Sequence, residues 1–164
     1  MTIDAFSIRP AVLGDAEQLD EVSLAARGTA GSDAREAISD EGRLVLVAEA
    51  TGEIIGWAKT HYYGEASGSA PTGHYLGGVN VHPDFQRRGI GSALTSARLD
   101  WIWTRSPEAW FVTNAQNKSS IALHAGFGFT EVARSGDFHR TTFEGGIGIL
   151  FRAIRPNDEP ISRT

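Results

Sequence analysis

The stretch QRRGIG, Gln86 to Gly91, carries the clearest chemistry in the sequence. An apolar run ends before it at Val81, His82 and Pro83 break that run, and a long helical pattern begins after it. The first amides of a helix lack partners within the helix and sit at the positive end of its dipole. Glycine at 89 and 91 keeps side chains clear of those amides, and Arg87 and Arg88 add charge. Gln86, Arg87, Arg88, Gly89, Ile90, Gly91 and Ser92 therefore predict a pocket for a phosphate or pyrophosphate. Without a ligand the same residues would make a tight strand-to-helix turn. Two common phosphate loops are excluded. No Gly-Lys-Ser/Thr follows, as a P-loop needs, and Leu94 stands where a dinucleotide fingerprint needs its third glycine.

Elements must hold that loop in place. Phe6 to Pro10 alternates and predicts a first strand. Asp15, with Gln18 three residues on, reads as the cap of a helix carrying Ala16, Leu19, Val22 and Ala26 to about Arg27. Gly28 and Gly31 break it, and a second helix runs from Asp33 to Asp40 with Ser32 as its cap. Leu44 to Ala50 and Glu53 to Tyr63 form a hairpin about Thr51 and Gly52. Gly64 to Gly73 reads as a mobile polar insert, and a strand from His74 to Val81 follows.

The long helix runs from Ile90 to about Arg105 with an apolar stripe of Ile90, Leu94, Ala97 and Trp101. A strand at Ala109–Thr113, a short helix at Ser119–Ala125, and strands at Phe129–Ala133 and Gly146–Ala153 complete the pattern. Alternating strands and helices predict a mixed α/β sheet with helices on both faces. The expectation is one domain over residues 1–155 and a polar, disordered tail over 156–164.

Composition narrows the function. The 164 residues fit one domain, and 41% hydrophobic residues can build a core. There is no cysteine, which excludes disulfides, thiolate metal sites and a cysteine nucleophile. With no signal-peptide pattern at MTIDAFSIRP, a cytoplasmic location is expected. No apolar stretch is long enough to span a membrane. A net charge of −5 argues against a general nucleic-acid binder. Glycine is over-represented, 19 of 164 against a usual ~7%, which implies sites where something approaches the backbone closely.

QRRGIG, preceded by Val79, Val81 and Pro83, resembles the pyrophosphate loop of the GNAT N-acetyltransferases. The order of elements is similar from Phe6 to Ala153. The resemblance implies a mostly antiparallel, twisted sheet of six to seven strands with about four helices on both faces, splayed between the fourth and fifth strands. It also implies acetyl-CoA as co-substrate and no metal. The loop amides would hold the coenzyme pyrophosphate, and the backbone of Val79, Asn80 and Val81 would pair with the pantetheine arm. Gly77 and Gly78 would allow a close approach there, or form a plain bulge. NKSSIALHAGFGF, Asn117 to Phe129, matches a second family motif. Asn117 and Ser120 would line the coenzyme site.

The family usually has tyrosine where this chain has His124, beside the coenzyme sulfur. The N-x-x-S-I-x-L-H form resembles the phosphinothricin-type branch. His124 would protonate the leaving thiolate or only line the site. At a reference pKa near 6.5, roughly a quarter of such a ring is charged at pH 7. That branch has a glutamate base where this chain has Leu76, a departure that leaves its substrate open. Replacement bases near it are His61, Glu65, His74 and Tyr75. Tyr62, Tyr63, Phe138, His139, Arg140 and Phe143 are candidates for the acceptor wall or for a subunit contact.

The expected activity is transfer of an acetyl group from acetyl-CoA to a primary amine of a small or amino-acid-like molecule. A protein N-terminal acetyltransferase and a non-catalytic acyl-CoA sensor are the alternatives. A homodimer fits the family, although nothing in the sequence requires one.

Overall fold

Alternation along single strands decides which helices cover them. In the computed structural model, which describes residues 5–29, 33–139 and 141–156, β1 (Ser7–Pro10) pairs antiparallel with β2 (Val45–Ala50). β2 pairs antiparallel with β3 (Glu53–Tyr63) through a turn in which Thr51 and Gly52 have φ of 51° and 82°. Positive φ at both central residues matches the right-handed twist of a hairpin.

Val45 and Val47 face one way and pack with Leu19 and Val22 of α1 (Ala16–Arg27) and Ala34 and Ala37 of α2 (Ala34–Ser39). Leu46 and Ala48 face the other way and pack with Ile90 and Leu94 of α3 (Ile90–Trp103). The hairpin thus has helices on both faces, as its near-continuous apolar sequence requires.

The strands form a seven-stranded mixed sheet in the order β1-β2-β3-β4-β5-β9-β6, where β4 is Gly73–Val81, β5 is Glu108–Asn114, β6 is Thr130–Ser135 and β9 is Gly148–Ile154. β4 and β5 run parallel, joined by α3, and pair at Tyr75↔Trp110 and Leu76↔Phe111. The β9 strand lies antiparallel to both β5 and β6. The fourth helix, α4 (Lys118–Ala125), links β5 to β6.

The chain divides into two compact units, Met1–His61 with Gly77–Arg98, and Tyr62–Leu76 with Leu99–Thr164. The first has the core just described. The second is built on Leu76, Leu99, Ile102, Phe111, Phe129 and Phe151, with a smaller cluster of Ala70, Tyr75, Trp110, Phe138 and Leu150.

Several local expectations need correction. Asp15 does not cap α1. Its carboxylate accepts from the Val12 amide at 2.8 Å and from Arg9 at 2.8 Å, so it faces back toward β1. The buried stripe of α3 runs through Arg98 and Ile102, both fully buried, whereas Trp101 is only partly covered. The helix ends at Trp103, two residues before Arg105.

The insert Gly64–Gly73 is tied down. Ser67 and Ala70 exchange both backbone bonds, Ala70 is buried, and the Pro71 carbonyl accepts from Tyr75 Oη at 2.6 Å. A small hairpin of β7 (Asp137–Phe138) and β8 (Thr141–Thr142) was not expected, because two-residue strands carry too little alternation to read. Gly31, Ser32, Arg140 and the tail over 157–164 lie outside the described residues. Among the described residues no helix is long and apolar enough to cross a membrane.

Candidate active site

In the first unit the strand β4 leads into the glycine loop and then α3. Val79 and Val81 point into the cluster around Ile90 and Leu94. Gln86 folds back, its Nε2 donating to the Val81 carbonyl at 3.2 Å. Arg87 and Gly89 have φ of 63° and 83°, and a Cβ built at Gly89 meets nothing within 4 Å. The first α-helical turn bond runs from the Ala93 amide to the Gly89 carbonyl at 3.0 Å. The amides of Ile90, Gly91 and Ser92 therefore precede it. The loop is exposed, and Arg88 lies 5.7 Å from the Phe85 ring centroid. This open cradle at the N-terminus of a 14-residue helix fits an anionic group.

The other face of β4 borders a cavity of ≈ 210 Å³ lined by residues of α1, β3 and β4, among them Arg27, Lys59, His61, Gly78 and Asn80. The two glycines are needed here for close approach. A Cβ at Gly77 would sit 2.9 Å from Lys59 Cγ and 3.0 Å from His61 Cδ2, and one at Gly78 would sit 2.8 Å from Arg27 Nη2. Lys59 pairs with Asp33, and Arg43 lies 3.9 Å from the same carboxylate. Burial raises Asp33, but its bond to Lys59 and the nearby Arg43 outweigh it and hold the carboxyl below its ordinary value. Burial lowers Lys59 despite Asp33. His61 is pushed down to about 4, by burial first and then by Arg43 and Lys59. Its ring is neutral at physiological pH. Asn80 is buried, and its Oδ1 has no hydrogen-bond donor among the described residues.

Behind this wall stands Arg98. Its Nη1 donates to the carbonyls of Lys59 (2.8 Å) and Gly77 (3.0 Å), its Nε to the Leu94 carbonyl (3.2 Å), and its Nη2 to Thr95 Oγ1 (3.2 Å). Burial pushes the guanidinium down to about 9, so it stays charged at neutral pH. Arg27, Asp33, Lys59 and Arg98 were not singled out from the sequence. A lysine inside the apolar run Glu53–Tyr63 and an arginine four residues after Leu94 were the available signals.

In the second unit Asn117 caps α4 by accepting from the Ser120 amide at 3.2 Å. The buried His124 ring stacks on Phe111 at 3.5 Å, and its Nδ1 is 2.7 Å from the Ser120 carbonyl. A carbonyl only accepts, so Nδ1 carries a hydrogen. Nε2 can then donate only from the doubly protonated ring.

Glu65 is exposed, and most of the remaining candidates form two aromatic groups of the second unit. Tyr63 stacks on His139 at 3.8 Å, and His139 Nε2 lies 3.2 Å from both Tyr75 Oη and the Pro71 carbonyl. Burial, and then Tyr63, pushes the Tyr75 phenol up. Tyr62 packs on His74 at 4.8 Å, and His74 on Trp101 at 5.5 Å. His74 is lowered by burial and by Arg105. Phe138 is a core residue. Among the described residues no cluster of three or more His, Asp or Glu could hold a metal ion.

A sequence model described as the acetyltransferase (GNAT) family matches residues 15–129. The ribosomal protein bS18-alanine N-acetyltransferase of Salmonella typhimurium is 36% identical over 64 residues, 38% of this chain and 43% of that protein. A mycothiol acetyltransferase of a Nocardioides species is 36% identical over 84 residues, 48% of this chain and 28% of that protein. The chain thus matches less than half the length of either curated relative. The crystal structure of the ribosomal-protein-S18-alanine N-acetyltransferase from Escherichia coli superposes with a TM-score of 0.72 at 21% identity, covering 96% of this chain and all of that one. At that identity the likeness is one of fold.

Proposed function

The chain belongs to the GNAT acetyltransferase family, and from that premise we propose that it transfers an acetyl group from acetyl-CoA to the primary amine of a small acceptor. The observation that carries this reading is the cradle after β4: an open Gly89 at φ 83°, three helix amides ahead of the first turn bond, and Arg87 and Arg88 beside them. Those amides and arginines would hold the coenzyme pyrophosphate. The backbone of Val79, Asn80 and Val81 would pair with the pantetheine arm, and an amide near Val79 would polarise the thioester carbonyl.

The amine then attacks the thioester carbon directly. The C–S bond breaks as the tetrahedral intermediate collapses, and coenzyme A leaves as thiolate. No acyl-enzyme forms on cysteine, since the chain has none. His61 is our choice for receiving the proton of the amine. It borders the cavity beside Gly77, and its ring is unprotonated at neutral pH, although burial, Arg43 and Lys59 make it a weak base. Tyr75 gives its O–H to Pro71 and resists ionisation, and His74 sits between Tyr62 and Trp101. His124 would supply a proton to the thiolate from its doubly protonated form, with Asn117 and Ser120 ordering α4 around it.

A cavity of ≈ 210 Å³ lies below the 300–1,000 Å³ of drug-sized sites and favours a small molecule. A peptide N-terminus is the second reading, motivated by the relatives that carry ribosomal-protein-alanine N-acetyltransferase in their names.

The test is free-thiol release from acetyl-CoA in the presence of a broad amine panel, together with acetyl-CoA binding by calorimetry. Amine-dependent thiol release is expected. Gly89→Arg should weaken acetyl-CoA binding at least tenfold, because the new side chain fills the cradle and the φ of 83° strains it. Unchanged binding would sink the assignment of the loop. Tight binding with no amine-dependent release would favour the sensor.

A further inference from the structure

We propose that the acceptor carries a carboxylate as well as its amine, and that the cavity between α1, β3 and β4 selects it: Arg27 and Lys59 hold the carboxylate, and Asn80 Oδ1 accepts a hydrogen from the same molecule. The inference rests on the acetyl-transfer reading for what happens to the amine, but the binding claim stands on the cavity alone.

Charge is the first argument. Arg27, Lys59 and Asp33 line the cavity, and Arg43 joins them at Asp33. One carboxylate thus faces Lys59 and Arg43, and Arg27 has no carboxylate partner among the described residues. Lys59 and Arg43 are largely covered and share the one carboxylate, and Arg27 stands exposed at the rim, so the cavity carries net positive charge that an anionic ligand would complement. A guanidinium presents a fork that matches a carboxylate in two-bond geometry. A simple polyamine would meet net repulsion.

Asn80 is the second argument. It is 4% exposed, lines the cavity, and its Oδ1 has no donor among the described residues. A buried amide oxygen without a donor costs about 1–3 kcal/mol. An ammonium, amine or hydroxyl of the ligand would satisfy it. A free phosphate ion could engage the arginine and give Asn80 a P–OH hydrogen, but it brings no amine to acetylate. Carboxylate and donor on one small molecule is the chemistry of an amino acid. His61 supports the same picture: burial lowers its ring most, and an anion beside Lys59 would offset the part that Arg43 and Lys59 add.

The experiment uses the full chain, the twenty L-amino acids and their carboxamides. Each pair is compared by calorimetry without acetyl-CoA and by amine-dependent thiol release with it. The free acid of at least one pair should bind at least tenfold more tightly than its amide. Arg27→Gln should raise the KM of that acid at least fivefold more than the KM of its amide, with kcat within about threefold. NMR titration should show the His61 pKa rising when the acid is bound. Lys59→Met gives a second test at a different residue, with a thermal melt to establish that it folds.

Equal treatment of acid and amide by the wild type would overturn the proposal, as would an Arg27→Gln effect equal on both. Saturation by inorganic phosphate with the same Arg27 dependence, and no amino-acid binding, would overturn the carboxylate assignment. Acid-selective binding without any thiol release would uphold the cavity and reject the catalytic reading. Thiol release without acid selectivity would do the reverse.

Discussion

At the scale of single residues, Gly77 and Gly78 are neighbours with different reasons to be glycine. A Cβ at Gly77 would press on the Lys59 backbone carbonyl at 3.0 Å as well as on two side chains. A Cβ at Gly78 would meet only the far end of the Arg27 side chain at 2.8 Å. Backbone cannot give way, whereas a guanidinium can swing. We expect Gly77→Ala to cost about 1–3 kcal/mol, as overpacking does, and Gly78→Ala less than about 1 kcal/mol. Urea unfolding measures both. Equal costs at the two sites would show that the Lys59 carbonyl does not set the ranking. The glycine-rich stretch was visible in the sequence, but what approaches it was not. The side chains come from residues 27, 59 and 61, remote in the chain.

At the scale of elements, Arg98 joins α3 to β3 and β4. Its bonds to the carbonyls of Lys59 and Gly77 bring the two strands to one guanidinium, beside the cavity. Replacing it by Met keeps much of the volume but leaves those carbonyls without their donor. A buried carbonyl left without a donor costs about 1–3 kcal/mol, offset in part by removal of a buried charge, and we expect Arg98→Met to lose about 1–3 kcal/mol in urea unfolding. A loss under about 1 kcal/mol would show that the carbonyls find other donors.

The elements themselves were largely legible. Glu53–Tyr63 has the predicted bounds, and the α3 start at Ile90 follows from Gly89 and Gly91. Apolar periodicity read the α3 stripe wrongly at its middle, because it counts Arg98 as polar and therefore outward. The cap at Asp15 failed for a related reason. A carboxylate beside a helix start has the right chemistry, but Arg9 from the neighbouring strand competes for it.

At the scale of the whole molecule, stability should fall in acid. His61 has a folded pKa of about 4 against an ordinary 6.5. Between those values the unfolded chain binds the proton and the folded chain does not. Stability therefore rises with pH across that window, and is lost as pH falls through it. Asp15, lowered chiefly by its bond to Arg9, and Asp33 add a second loss as pH falls from about 3.8 through their lowered values. We expect the thermal midpoint to drop from pH 7 to pH 4 and to drop faster below. His61→Gln should flatten the part between about 6.5 and 4. An unchanged slope in that variant would mean that other groups carry the pH dependence.

The sequence alone determined the family, the order of the main elements and the glycine loop that we propose as an anion cradle. These depend on local facts: which residues alternate, where glycine removes a side chain, and where helix amides go unpartnered. Only the tertiary structure decided that Arg27, Asp33, Lys59, His61 and Asn80 share one cavity, and that Arg98 is buried behind it. Arg27, Asp33, Lys59 and Arg98 read in sequence as ordinary polar positions, and His61 and Asn80 as separate candidates with no link between them. Their meaning comes from charges and orphaned donors or acceptors converging across distant segments, which no local spacing encodes.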